Sequence, residues 1–408
     1  MNQLQRRLGT GHAIVIGLAS MMGAGVFFVW APAADVAGSA LLVGLLIAAA
    51  VASLNALSSA QLAMVYPVSG GTYAYGRATI GPWWGFAAGW LFLCGKTASA
   101  GAIALIAGSY LWPEHARTVA VGAVVVFAVL NASGIRSTAR VSTVIVTITL
   151  TGLAVLIGTA LGQGAAAQPF TLDFEAGWYG ILQSAGLMFF AFAGYARMAT
   201  LGEEVRDPRH TLPRAIIIAL AIALVVYACV GWVSLVGLGE QRLAASASPL
   251  TELVSGGWDP VVRVLAALAC LGSLMGILAG LSRTSLAMAR NRDLPGALAH
   301  VSPRTNAPIV AEVTVALLAV AGILFLDPTR LVSFSSCAVL IYYAIAHLSA
   351  FRQTDVERWL PRIVQVVGVL GCVLLAFTLP WQAILGAAAM LALGFAARAV
   401  TLRRARTR

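Results

Sequence analysis

The feature that most constrains this chain is a succession of about twelve apolar runs, each near the roughly 20 residues that a helix needs to cross a hydrocarbon core. They lie near residues 12–33, 37–64, 83–111, 117–134, 141–161, 178–200, 214–238, 261–288, 309–326, 331–350, 362–379 and 381–399. With 60% of 408 residues hydrophobic, 10% charged and a mean hydropathy of +0.89, no water-facing surface could absorb this apolar content. The runs are continuous rather than short and alternating, which argues for helices over an outer-membrane barrel. The first run is followed at once by a second, so it reads as a retained span and not a cleaved leader. No segment is polar enough for a soluble domain, and residues 1–408 form one transmembrane domain.

The charge pattern orients the spans. Assuming a cytoplasmic N-terminus, about 20 of the 26 Lys and Arg fall on the cytoplasmic side, which is the positive-inside asymmetry. Both termini then lie in the cytoplasm, and the expected location is the cytoplasmic membrane. This placement also accounts for the net charge of +11 without nucleic acid. The five cysteines all fall inside apolar runs, where a thiol behaves as a small hydrophobe, and form no disulfide framework or metal motif.

Two places break the apolar continuity. Helix one carries MMGAGVFF, residues 21–28, and helix six carries FFAFAGYA, residues 189–196. If helices one to five and six to ten are two copies with an odd number of spans each, the second enters from the opposite side, giving inverted repeats over 8–161 and 176–352, followed by two helices over 358–400. A break at mid-membrane frees amides and carbonyls that cost several kcal/mol unless something satisfies them. Freed amides suit a carboxylate and freed carbonyls an ammonium group, so a solute with both charges, an amino acid, fits such a break. Gly-x-Gly in a membrane helix also serves simple helix packing, and the pattern alone leaves both readings open.

The segments GLASMMGAGVFF, PVSGGTYAYGRATIGP, FFAFAGYARMATLGEEVRDPRHTLPRA and SRTSLAMARNRDLP, in that order, resemble the signature segments of the amino acid-polyamine-organocation superfamily of permeases. The resemblance covers nearly the whole chain. It implies an all-α polytopic membrane protein of about 12 transmembrane helices, with a LeuT-type 5+5 inverted repeat, broken helices 1 and 6, and two extra helices. It further implies amino-acid transport by alternating access. Carried over by position, it puts the substrate carboxylate at the backbone of Gly23, Ala24 and Gly25, beside Ser20 and Met21. The ammonium group would meet carbonyls near Ala19 and Met21 in helix one and near Phe190 and Ala193, beside Gly194, in helix six, with Phe190 as a gate. Two departures stand out. Ala196, followed by Arg197, replaces an acidic residue of cation-handling relatives, and Thr149 stands where many relatives carry a coupling lysine in helix five.

Lys96 is the only lysine, near the centre of helix three in WLFLCGKTASAG. A charge at mid-bilayer costs at least about 2.5–3.5 kcal/mol, so a cavity or partner is expected, and no carboxylate is available at that depth. The expected partners are a substrate carboxylate, carbonyls freed by the helix-one break, or water, and Lys96 is read as the replacement for the missing helix-five charge, taking part in substrate binding or proton coupling and able to be neutral for part of a cycle because burial favours the uncharged amine. Arg197, with Glu203 and Glu204 beyond it, is a candidate gate pair or cap, and Ser282 with Thr284 could offer oxygens to a sodium site with helix-one carbonyls. A core with a lysine and no carboxylate disfavours cationic substrates, so small or medium neutral amino acids are expected first and acidic ones second. Coupling to H+ or Na+, export, exchange, and a transport-like sensor all remain open. No resident cofactor or metal and no obligatory protein partner is expected, and no hydrolase or metalloenzyme motif is present at membrane depth.

Overall fold

The computed structural model describes residues 9–66, 70–133, 139–165, 171–195, 198, 205–305, 307–353 and 358–406. In chain order its helices are α1 (Thr10–Met21), α2 (Ala24–Phe28), α3 (Trp30–Ala37), α4 (Leu41–Val65), α5 (Thr72–Thr79), α6 (Pro82–Leu111), α7 (Ala116–Ala132), α8 (Ala139–Gly162) and α9 (Gly177–Phe192). They continue with α10 (Pro208–Leu238), α11 (Glu240–Ala245), α12 (Pro249–Glu252), α13 (Asp259–Arg290), α14 (Ile309–Phe325), α15 (Pro328–Phe351), α16 (Arg362–Thr378) and α17 (Trp381–Arg406). No strand occurs among the described residues, and the chain is an all-α polytopic membrane protein. Nine helical segments among those residues are long and apolar enough to cross a membrane. The sixth, ninth and eleventh expected runs contain shorter helices of 16, 17 and 17 residues, α9, α14 and α16.

Local chemistry sets the ends. Prolines at the start of α6, α10, α13 and α15 stand where the amide has no intrahelical acceptor. Asp327 caps α15 by accepting from the Arg330 amide at 2.9 Å. Gly38, with φ of 52°, turns the chain between α3 and α4 in a conformation that disfavours a side chain.

Packing runs in corresponding pairs. α6 packs on α7 as α13 packs on α14, α6 on α15 as α13 on α8, α4 on α15 as α10 on α8, and α4 on α9 as α10 on α1. α6 and α15 are buried along most of their length, whereas α7, α8 and α17 are mostly peripheral. Lys96 thus belongs to one of the two most enclosed of the nine long spans among the described residues. Between α4, α15 and α16 lies a polar seam: His347 is hydrogen-bonded to Ser58 at 2.9 Å and Asn55 at 2.6 Å, and Gln61 donates to Gln353 at 2.8 Å. Such contacts hold helices together where lipid removes the hydrophobic drive for their association.

At the end of the molecule that carries the arginine-rich loops, Asp293 gathers three elements. It accepts from Tyr73 of α5 at 2.8 Å and from Arg77 of α5 at 2.6 Å, and it pairs with Arg398 of α17 at 3.0 Å. The Arg398 guanidinium lies 4.8 Å from the rings of both Trp83 and Phe86. Two arginines that read in the sequence only as topology signals therefore also hold the last helix to the α5–α6 corner. Removing the carboxylate strands a guanidinium whose side chain is 5% exposed, a loss on the order of 3–5 kcal/mol. Asp293→Ala is expected to lower the thermal midpoint of the purified protein by several degrees, and Arg77→Ala, removing the more exposed partner, by less. Equal melting of Asp293→Ala and wild type would refute this role.

Candidate functional site

Helix one is interrupted. α1 ends at Met21, Met22 and Gly23 are non-helical, and α2 begins at Ala24. The Met22 amide still reaches Leu18 O at 2.6 Å, but among the described residues the amides of Gly23, Ala24 and Gly25 have no backbone acceptor, and the carbonyls of Ala19 and Ser20 receive no donor. Opposite this gap α9 changes at Phe192 into a 3-10 turn, Ala193–Tyr195. The region beyond, including Ala196, Arg197, Glu203 and Glu204, lies outside the described residues.

The glycines act through contact rather than through torsion. Neither Gly23 nor Gly25 has a positive φ. A Cβ on Gly25 would meet Ala191 Cα at 2.5 Å, one on Gly194 would strike the Ser20 carbonyl, and one on Gly23 would strike the Ser273 hydroxyl. The two interrupted segments thus touch main chain to main chain, which only glycine at these positions permits.

Side chains satisfy part of the freed backbone. The Tyr227 hydroxyl of α10 reaches Met21 O at 2.7 Å and Ala191 O at 3.0 Å, bridging helix one and helix six. Tyr110 of α6 donates to Phe27 O at 2.7 Å, beside the junction of α2 and α3. Lys96 donates to Ala193 O at 3.1 Å. Lys96 therefore meets a carbonyl of helix six, not the helix-one carbonyls expected from the sequence. Met21 and Ala193 were also expected to offer carbonyls to a substrate ammonium, and both are taken by protein donors. Among the described residues, the carbonyls of the break still without a donor include those of Ala19 and Ser20.

One small cavity of ≈ 20 Å³ joins these groups. Of the expected residues, Ser20, Met21, Gly23, Ala24, Gly25, Lys96, Phe190 and Gly194 line it. Ser99, one turn from Lys96, and Ser273 line it as well and were not anticipated. The Ser99 hydroxyl shares a hydrogen with Ser335 at 2.6 Å. Phe190 is buried at the wall, and no acidic side chain contributes to the lining. Ala19 and Ala193 adjoin the cavity without lining it. Thr149 lies elsewhere, on α8, with its hydroxyl donated to Ile145 O at 2.8 Å. Ser282 is also remote: nine residues beyond Ser273, it faces the opposite side of α13, and its hydroxyl meets Glu312 of α14 at 2.6 Å. Thr284 bonds its own helix at Gly280 O. Neither hydroxyl joins helix one in a common oxygen cluster.

Tyr227, the largest contributor missed, had a legible signal. A tyrosine in the middle of a membrane run must place its hydroxyl on a partner, but nothing in ALVVYACVG says which helix supplies it.

The amino acid permease family model matches residues 8–398. An uncharacterized transporter of Mycobacterium tuberculosis is 50% identical over 99% of this chain and 94% of its own length. A branched-chain amino acid permease of Bacillus subtilis is 28% identical over 76% of this chain and 72% of its own length. A vacuolar cationic amino acid transporter of Arabidopsis thaliana is 26% identical over 84% of this chain, which spans 62% of that relative. The chain belongs to the amino acid permease family of the amino acid-polyamine-organocation superfamily, a family of integral membrane transporters and not of enzymes.

Replacing Tyr227 by Phe keeps the ring packed against Phe192, at 5.0 Å between centroids, and strips two buried carbonyls of their donor. The expected cost is about 1–3 kcal/mol of stability, read as a lower melting temperature. Unchanged melting would mean that the bridge contributes nothing.

Proposed function

We propose that the chain is a secondary transporter of small or medium neutral amino acids across the cytoplasmic membrane, working by alternating access. The observation that carries this reading is the juxtaposition, beside one small cavity, of amides at Gly23, Ala24 and Gly25 and carbonyls at Ala19 and Ser20 that are unpaired among the described residues. The amides face a carboxylate and the carbonyls an ammonium group, so the main chain itself reads the two charges shared by all amino acids. Phe190 covers the cavity as a gate. The corresponding helix contacts in the two halves support inverted repeats over 8–161 and 176–352, with residues 358–400 added outside them.

Substrate class follows from what the lining lacks. A cationic side chain would enter a cavity that already holds Lys96 and offers no carboxylate, and like charges in a low-dielectric space repel strongly. At ≈ 20 Å³ the cavity in this arrangement has room for about one water, so an amino acid enters only when its walls part. The relatives' names point both to branched-chain and to cationic amino acids, and the lysine favours the neutral class for this chain.

Lys96 serves as a built-in cation. Its ammonium group pins Ala193 O and faces the substrate space, where other carriers of this architecture need a helix-five lysine or a bound sodium ion; Thr149 leaves the helix-five position uncharged. Positive-inside charge supports cytoplasmic termini.

Purified protein in liposomes, offered labelled neutral, acidic and cationic amino acids under imposed pH or sodium gradients, is expected to accumulate neutral ones at least 10-fold over cationic ones. Preferential uptake of arginine or lysine would overturn the substrate assignment, and binding without uptake would overturn transport. Lys96→Met keeps much of the volume and removes the charge. Its uptake is expected to fall at least 10-fold while the protein remains folded; uptake equal to wild type between pH 5 and 8 would remove Lys96 from the mechanism.

A further inference from the structure

Away from the cavity, on the α13–α14 side of the molecule, stands a buried carboxylate that the transport site does not use. Glu312 lies in the first turn of α14 and is 3% exposed. Its Oε1 accepts from Ser282 of α13, while its Oε2 has no hydrogen-bond partner among the described residues. Asn131, in the last turn of α7, stands beside it with its own Nδ2 buried and unpaired. Three helices thus converge on a carboxyl group with one oxygen idle and one amide donor idle.

We infer that Glu312 is a proton-binding site, carrying a proton in this arrangement and releasing it to cytoplasmic water when the helices around it part. An ionised carboxylate buried with an unpaired oxygen costs far more than a neutral acid in the same place. The geometry is that of the acid: one hydroxyl donor is in place and, among the described residues, no ion pair forms to Glu312, the cation that acts on it, Arg283, standing exposed and at longer range. The charged groups on the elements packed around α14 are Lys96 on α6, Arg117 on α7, and Asp259, Arg263, Arg283 and Arg290 on α13. Lys96 is committed to Ala193 O, Asp259 and Arg263 pair with each other at the far end of α13, and Arg117 starts α7 at that same far end. At the Glu312 end, Arg283 and Arg290 are exposed to the surroundings.

The same cluster stabilises the other protonation state after a small movement. On release, the O–H bond of the carboxyl breaks, its proton passes to water, and the carboxylate can take the free Asn131 amide as a second donor beside Ser282. A hydrogen-bonded carboxylate and a neutral acid then belong to two packings of α7, α13 and α14, which is what couples a proton to a conformational change. Ser282 and the cavity-lining Ser273 share α13, about 13 Å apart along its axis, so one rigid helix carries both sites. In a transporter this makes the coupling ion a proton; that step rests on the transport reading, whereas the proton site does not.

Two measurements test it. Protein in liposomes is treated with dicyclohexylcarbodiimide, which labels protonated carboxyls in apolar surroundings, between pH 5.5 and 8.5, and modified peptides are identified by mass spectrometry. Glu312 is expected to be labelled at the acid end and progressively protected as pH rises. An unlabelled Glu312 across the range would overturn the inference. In parallel, Glu312→Gln, which keeps the Ser282 contact, is expected to exchange internal for external substrate at wild-type rate while losing at least 10-fold of pH-gradient-driven accumulation. Gradient-driven accumulation equal to wild type would also overturn it. A labelled, pH-protected Glu312 in a protein that moves no amino acid would uphold the proton site and sink the transport reading instead.

Discussion

The structure depends on what happens to main-chain polar groups that no helix pairs. In a hydrocarbon environment each unpaired amide or carbonyl costs several kcal/mol, so an interruption survives only if its groups find partners. Here the partners divide into two kinds. Tyr227, Tyr110 and Lys96 permanently take the carbonyls of Met21, Ala191, Phe27 and Ala193. The amides of Gly23, Ala24 and Gly25 and the carbonyls of Ala19 and Ser20 are unclaimed among the described residues, beside one cavity. The protein secures part of the break with side-chain donors and leaves other main-chain groups of it open.

How much of this the sequence carries depends on the range of the interaction. Spans are legible because a 20-residue apolar run is a local property, and the helix-one break is legible because Gly23 and Gly25 sit in an otherwise unbroken run. Helix six gives a weaker signal, since Gly194 reveals its purpose only through the Ser20 carbonyl it approaches. Partners across helices are not legible. Nothing in the string indicates that Lys96 meets helix six rather than helix one, that Tyr227 bridges both breaks, or that Ser282 turns away toward Glu312. Their pairings are separated by 97, 206 and 30 residues, and helix rotation, which composition does not fix, decides them. For Gly25 and Gly194 the constraint is a neighbouring backbone and for Gly23 the Ser273 side chain, contacts that the string does not show.

Lys96 shows how one substitution of charge position can reorganise a carrier. A fixed ammonium group on one of the two most enclosed long spans does continuously what a bound cation would do transiently, holding helix six near helix one and presenting positive potential to an anionic end group. Its charge follows a proton gradient only if the ammonium group gives up its proton, and the lining holds no carboxylate to receive it.

An energy input must therefore enter elsewhere, through a group that changes charge state or occupancy between conformations. Such a group needs burial in one packing, a donor to receive it in the other, and a rigid connection to the cavity. In the cavity the lining offers no carboxylate, and Ser99, Ser20 and Ser273 do not titrate in the physiological range. The Asp293 cluster does not provide such a group, because both carboxylate oxygens are already in ion pairs, with Arg77 and Arg398, that hold the helices together. His347 has both ring nitrogens engaged within the seam of α4, α15 and α16, where protonation would add a charge with no carboxylate to meet it. Glu312 meets all three requirements, since its idle oxygen and the idle amide of Asn131 are each other's natural partners once the proton is gone, and α13 ties them to the wall of the cavity.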